Sequence, residues 1–421
     1  MQREVVGFLR QDILKRFERY VSIDTASSEK NPEQPSSKGQ RVLGEMLRAE
    51  LEELGLSDVE QDDFGYVYGT LPGRGSGRRE ILTLCAHLDT SPSEPGNGVR
   101  PVLHADYDGR VIHFADNLDL TLSPKECPEL LDYQGDTVIT ASGRTLLGAD
   151  DKAGVAAIMT LLSALARFPD LSHPEIRIVF TPDEEVGRGT ENIDMARLAG
   201  FGYTVDGGRV GDLDVETFHA LKAEIVFHGH NVHPGHAKGK MVNAVAIASR
   251  FVALLPEGET PEHTEGREGF FHLTGLSGDE NRGEATLILR DFTPSGNARR
   301  AELLTRLKAV FETRYPGLGI ELSIQEQYRN MGEVLAHAPL VVKTAEQAMV
   351  RAGIDPVQKS VRGGTDGARL SFMGIPMPNL FTGGMLFHSK KEWIALSAMT
   401  KSCEVLLHIC DLLTKPPEQH V

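Results

Sequence analysis

Between residues 3 and 21, apolar side chains fall at Val5, Phe8, Leu9, Ile13, Phe17 and Tyr20, the spacing of one helix face. Residues 38–54 repeat the pattern with Leu43, Met46, Leu47, Leu51 and Leu54, and Gly55 is placed to end that helix. The period then shortens. YVYGTL (66–71), EILTLCA (80–86), IRIVFT (176–181) and YTVD (203–206) read as strands, and KAGVAAIMTLLSALAR (152–167) reads as a helix. Apolar strands alternating with helices predict βαβ units and a mostly parallel sheet, an α/β fold.

The pattern changes near residue 215. A strand at 216–229, a helix at about 241–255, strands near 270–276 and 284–292, a helix at about 296–313 and a strand near 319–327 follow in the order β-α-β-β-α-β. That order is the ferredoxin-like split unit. The first kind of pattern resumes at about 334, so 215–330 reads as a domain inserted between 1–214 and 331–421. The stretches 31–37 and 73–77 read as exposed loops.

Parallel sheets bind ligands beyond the carboxyl ends of their strands. Here the strand at 80–86 runs into His87 and Asp89, that at 176–181 into Glu184 and Glu185, and that at 203–205 into Asp206; PNLF (378–381) leads through glycines to His388. Acids and imidazoles therefore gather at one edge.

Composition narrows the chemistry. The 421 residues include 60 acidic and 44 basic ones, a net charge of −16, which disfavours nucleic acid or an anionic membrane as partner. Cys85, Cys127, Cys403 and Cys410 form no CxxC pair, so a reducing compartment, the cytoplasm, is expected. The first residues, MQREVVGFLRQDILKRF, lack a signal-peptide core, and no 18-residue apolar run suggests a membrane span.

Five residues then stand out as candidate metal ligands: His87, Asp150 (with Asp151 beside it as the alternative), Glu185, Asp206 and His388. Neutral imidazoles and carboxylates, one of them bridging, suit a pair of divalent ions. Each residue alone has an ordinary reading. ADDKAG could be a capped helix start, Glu184–Glu185 an acidic turn, Asp206 a turn aspartate and His388 one of 15 histidines. Their joint placement at strand ends favours the metal reading.

TLCAHLDTSP, LLGADDKAGVAA, FTPDEEVGRGT, YTVDGG, HNVHPGHAKGKMVNA, RGGTDGARLSFMGIP and PNLFTGGMLFHSKKEW together resemble the peptidase T family over essentially the whole chain. That family belongs to a clan with glutamate carboxypeptidases and succinyl-diaminopimelate desuccinylases. The resemblance implies an α/β zinc-exopeptidase domain carrying a lid. It implies two Zn²⁺ per subunit, one on His87, Asp150 and Asp206 and the other on Asp150, Glu185 and His388. The clan's bridging-Asp to catalytic-Glu spacing falls on Asp150 and Glu184, leaving Asp151 to cap the helix or support Asp150. Glu184 is implied as general base and Asp89 as the carboxylate orienting His87. A cis peptide after Asp150 is also implied. The stretch MLFHSKKEW departs from the family's more polar, Tyr-containing form, which bears on specificity.

In the inserted domain, HGHNVHPGH (228–236) holds four histidines. His233 matches the family's NVHPGxAKG motif, and the resemblance implies that it reaches the scissile carbonyl, with a homodimer through the lid left open. Arg290 in LRDF is a candidate clamp on a substrate carboxylate, with Arg362 the weaker candidate and Asp366 assigned to its turn. The expected activity is release of the N-terminal residue from tripeptides. A dipeptidase or N-acyl amino acid deacylase is the rival chemistry, and a non-catalytic peptide-binding protein the rival class.

Overall fold

The computed structural model describes residues 3–75 and 80–415, so Ser76 and Gly77 of the expected loop at 73–77 lie outside the described residues. The chain forms two compact units, one of Met1–Val215, Glu333–Lys359 and Thr365–Val421, the other of Glu216–Gly332 and Ser360–Gly364. The short piece 360–364 goes with the second unit, which the pattern of apolar residues did not indicate.

In the first unit an eight-stranded sheet runs in the order Ser57–Gln61, Val67–Leu71, Glu175–Thr181, Ile81–His87, Phe201–Gly207, Asn379–Phe381, Asp212–Thr217, Val357–Val361. Glu175–Thr181, Ile81–His87, Phe201–Gly207 and Asn379–Phe381 are parallel, and their outer neighbours join antiparallel. The parallel strands are covered on both faces, which is why Leu82 to His87 and Phe201 to Val205 are buried without alternation.

Helix Ala149–Arg167 packs on Ile81–His87 and Phe201–Gly207, and also against helices Arg3–Val21 and Leu396–Thr414. Its apolar residues face neighbours on all sides, and each fully buried Leu, Ile or Val contributes about 1.5–3 kcal/mol. Gly154 fixes how closely the helix sits on the sheet. A Cβ there would lie 1.8 Å from the carbonyl oxygen of Val205, so only glycine fits. This contact brings the start of the helix, with Asp150 and Asp151, beside Asp206.

A smaller sheet of Val102–His104, Val138–Thr140, Trp393–Ala395 and Gly384–Met385 was not legible in the sequence, since strands of two or three residues show no period. Its core holds Trp393, Phe114, Leu122 and Leu130, with Tyr133 edge-on to Trp393 at 5.6 Å.

The second unit follows the expected β-α-β-β-α-β order. Strands Phe270–Gly278, Arg282–Asp291, His219–His228 and Gly319–Tyr328 lie side by side, all antiparallel, as in the ferredoxin-like arrangement. Helices Ala244–Val252 and Pro294–Arg314 pack on this sheet, and Phe227, Phe251, Leu287, Leu304 and Phe311 form the core between them. Among the described residues no helix is long and apolar enough to cross a membrane.

Candidate metal centre

The carboxyl ends of the parallel strands carry the chemistry. His87 closes strand Ile81–His87 and is 3% exposed, and Asp206 sits one residue before the end of Phe201–Gly207. Glu184 and Glu185 begin the single helical turn Glu184–Val186 that follows Glu175–Thr181. Asp150 lies at the start of helix Ala149–Arg167, where the Asp150–Asp151 peptide is cis as the resemblance implied. His388 stands on the turn after Gly384–Met385 with φ +58°.

These five side chains converge. Asp150 stands between the two histidines, with Oδ1 2.9 Å from His87 Nε2 and Oδ2 3.2 Å from His388 Nε2. His87 Nε2 is also 3.5 Å from Asp206 Oδ1, and His388 Nε2 is 2.9 Å from Glu185 Oε1. Ligand atoms about 2.0–2.2 Å from a tetrahedral ion stand roughly 3.3 Å apart, so the spacing fits a pair of ions sharing Asp150. His87, Asp150 and Glu185 form one group of ligand atoms within 4.8 Å of one another, and His87, Asp151 and Asp206 form a second.

Asp151 in that second group is already engaged. Its Oδ2 accepts the backbone N–H of His87 at 3.1 Å and its Oδ1 that of Gly154 at 3.1 Å, so it caps the helix and ties the strand end to it. Asp89 does two things. Its backbone carbonyl is the acceptor closest to His87 Nδ1, at 3.0 Å, with the carboxylate farther off at 3.4 Å. A carbonyl only accepts, so Nδ1 carries the hydrogen and Nε2 is left for the metal side. The expected orienting role thus falls chiefly on the main chain of Asp89. Its carboxylate instead receives the N–H of Glu184 at 3.0 Å and of Glu185 at 3.2 Å.

Three supporting residues were missed. Asp183 is fully buried at φ +60° and receives Ser36 N–H, Ser36 Oγ, Gln40 Nε2 and Arg188 Nη2, pinning the turn that presents Glu184. Ser36 is therefore buried, not part of an exposed loop as 31–37 suggested. Asn379 Oδ1 accepts from Asp206 N–H at 3.0 Å while its amide donates to Asp214. Glu392 accepts three backbone N–H groups of the loop leading to Asp150. The run PDEE hinted at Asp183; nothing local marked Asn379 or Glu392.

Electrostatics show why the cluster wants a cation. Burial opposes charge on His87, but Asp206, Asp150 and Asp89 outweigh it and hold the imidazole well above its usual range. Hydrogen bonds donated by its ring to Asp150 and Glu185 push His388 up to about 10. Burial, helped by Asp150, pushes Asp206 up to about 7. Burial also raises Glu184 well above the usual carboxylate range, reinforced by Asp366, Asp206 and Glu185 against His87. Carboxylates and imidazoles that retain protons in this way exchange them for a bound metal ion. Among the described residues the Glu184 carboxylate makes no hydrogen bond, which leaves it available to a reactant. Asp366 lies buried in the first turn of Asp366–Phe372, against Gly189, and Thr365 rather than Asp366 caps that turn.

The remaining candidates belong to the second unit. His233 is exposed, and its Nδ1 accepts the N–H of Gly235 at 3.1 Å. Arg290 is 9% exposed, donates to the carbonyls of Leu221 and Leu289 and to Gln327 Oε1, and lies over the Tyr328 ring. Arg362, placed in the catalytic domain by the sequence boundaries, stacks on Phe218 and Phe270 and donates to Gly266 O, Glu268 O and Thr264 Oγ1. Those contacts hold 360–364 to the second unit and commit its guanidinium to a structural task.

The chain is similar to known proteins along nearly its whole length. The family model described as peptidase family M20/M25/M40 matches residues 143–411. Peptidase T of Listeria monocytogenes is 44% identical over 405 residues, covering 96% of this chain and 99% of that protein. A tripeptidase from Staphylococcus aureus superposes with a TM-score of 0.77 at 21% identity, over 97% of this chain and 99% of that one. The aminopeptidase PepT from Bacillus cereus superposes with a TM-score of 0.73 at 22% identity, over 96% and 99%. The chain belongs to peptidase family M20/M25/M40 and, within it, to the peptidase T family of metal-dependent exopeptidases.

Proposed function

We propose that this enzyme releases the N-terminal residue of tripeptides with two zinc ions per subunit, in the cytoplasm. The observation that carries the reading is Asp150, whose two oxygens face different imidazoles. His87, Asp150 and Asp206 would hold one zinc, and Asp150, Glu185 and His388 the other. Bound zinc supplies Lewis acidity toward the scissile carbonyl and lowers the pKa of an attacking water. Glu184 takes the proton from that water and returns it to the leaving amine. Burial raises its basicity, which suits a group that must carry a proton between two steps. Asp89 fixes the turn that aims Glu184 and the tautomer of His87. The four buried, unpaired cysteines suit a reducing compartment.

The test is a hydrolysis panel with metal analysis. Di-, tri- and tetrapeptides with free and blocked ends, and N-acyl amino acids, are offered to the purified protein. Preferential cleavage of free tripeptides with two equivalents of zinc is expected. Faster turnover of dipeptides or N-acyl amino acids would replace this reading with the rival chemistry. Zinc binding with no turnover of any peptide would leave a binding protein.

A further inference from the structure

Glu392 is 1% exposed. Its Oε2 accepts the N–H groups of Leu147 and Gly148, both at 2.8 Å, and its Oε1 accepts that of Asp150 at 3.0 Å. Its own N–H donates to the carbonyl of Ser389 at 3.2 Å, closing the turn that directly follows His388. Trp393 next to it enters the small sheet and pairs with Thr140. One carboxylate thus joins two segments 242 residues apart in sequence.

The need for such a joint follows from how the ligands are mounted. His87 and Asp206 end or nearly end strands of the central sheet. Asp150 and His388 stand where regular structure breaks: Asp150 interrupts the start of its helix at φ −86°, ψ 104°, and His388 is on a turn at φ +58°. Three N–H groups at the start of a helix, pointing inward, require a buried acceptor, and a carboxylate with two oxygens meets three of them at once. The distance from Asp150 Oδ2 to His388 Nε2, 3.2 Å, is the span an ion must fill, and Glu392 is bonded within both segments that set it.

We propose that Glu392 is a positioning residue that, through Asp150, sets the affinity of the pair of ions assigned to that shared ligand, independently of the fold's stability. This rests on the ligand assignment proposed above. Glu392→Gln is a sharp test, because an amide oxygen in the Oε2 position keeps the bonds to Leu147 and Gly148 and turns an NH₂ group toward the N–H of Asp150.

Stepwise zinc affinities are measured by chelator competition on the metal-free wild type, Glu392→Gln, Glu392→Asp and His388→Ala, along with the melting temperature of each metal-free protein. The expected result is about a 10–100-fold weaker binding of zinc in Glu392→Gln, felt at both equivalents because Asp150 is shared. The metal-free melting temperature should stay near wild type, and kcat should recover at saturating zinc. Wild-type affinity for both equivalents overturns the proposal. So does weaker binding together with a lowered metal-free melting temperature, which is a purely structural role. If Glu392→Gln does not fold, Glu392→Asp decides: weaker binding at an unchanged melting temperature supports the proposal, and two wild-type equivalents overturn it. His388→Ala separates the two levels. If it keeps both ions, the ligand assignment fails and this inference with it; if it loses one while Glu392→Gln keeps both, only the role of Glu392 fails.

Discussion

The carboxylate of Asp89 receives the backbone N–H of Glu184 on one oxygen and of Glu185 on the other. A side chain at the end of one strand therefore aims the turn beyond its neighbour. In Asp89→Asn one oxygen becomes a donor and faces an N–H, so the turn must shift. Activity should fall about 10–100-fold, the usual scale for a residue supporting a metal site. His87 should keep its tautomer, because the main-chain carbonyl at 3.0 Å remains. Steady-state kinetics and zinc titration check this. An unchanged kcat, or metal loss that accounts for the whole defect, would show that the bonds to the turn are dispensable.

Glu184→Gln should retain both metal equivalents, since Glu184 belongs to neither group of ligand atoms. Its kcat should drop about 10²–10⁴-fold, the contribution of a positioned base. Metal analysis beside kcat measurement is the check, and near-normal turnover with full metal would exclude Glu184 as the base.

Tripeptide preference needs an anchor at a fixed distance from the scissile bond. Arg290 has one side-chain partner that a carboxylate could replace, Gln327 at 3.0 Å, while the Tyr328 ring and two carbonyls hold the guanidinium in place. Burial lowers its pKa from the usual arginine value, which marks a charge short of solvent. Arg290→Met should lose about 2–5 kcal/mol in kcat/KM for a tripeptide and discriminate less between it and its C-terminal amide. Discrimination as strong as in wild type would confine Arg290 to packing.

In the second unit Glu216 accepts from Arg267 Nη2 at 2.7 Å and Asn330 Nδ2 at 3.1 Å, and also from Ser360 Oγ. The Arg267 bond above all lowers its pKa from 4.5 to about 2. A depressed carboxylate stabilises the fold above its unfolded pKa and loses that contribution as pH falls through its folded value. The window is therefore about pH 4.5 down to 2. Urea midpoints of wild type and Glu216→Gln should differ at pH 7, differ equally at pH 5, and converge toward pH 2. A difference independent of pH would mean that the ion pair adds nothing that protonation removes.

Much of the centre was legible because parallel strands place their following residues at one edge. His87, Glu184, Glu185 and Asp206 each come at or within a few residues of the end of an apolar run, and that run predicts both the strand and the place where it ends. His388 was harder to read, since six residues lie between Phe381 and it, and only the glycines after that strand led on to it. What escaped shares one property: its partners lie far away in sequence. Glu392 bonds a loop 242 residues earlier, and Ser36 bonds Asp183 across 147 residues. A carboxylate satisfied by backbone N–H groups leaves no charge pattern and no period. The strands around Trp393 were too short to alternate, so their core was invisible although its aromatic residues were plain.

Strand Asn379–Phe381 lies between Phe201–Gly207 and Asp212–Thr217, so the middle of the larger sheet is filled by a late part of the chain. During synthesis the segment 216–332 can complete its own four strands early, while the surrounding unit waits with a gap in its sheet. His388 follows that strand, so the last of the candidate ligands reaches the centre only after the gap is closed. A nascent or prematurely ended chain thus exposes unpaired strand edges but holds no complete hydrolytic apparatus. The peptidase becomes competent only when nearly all of it has been made.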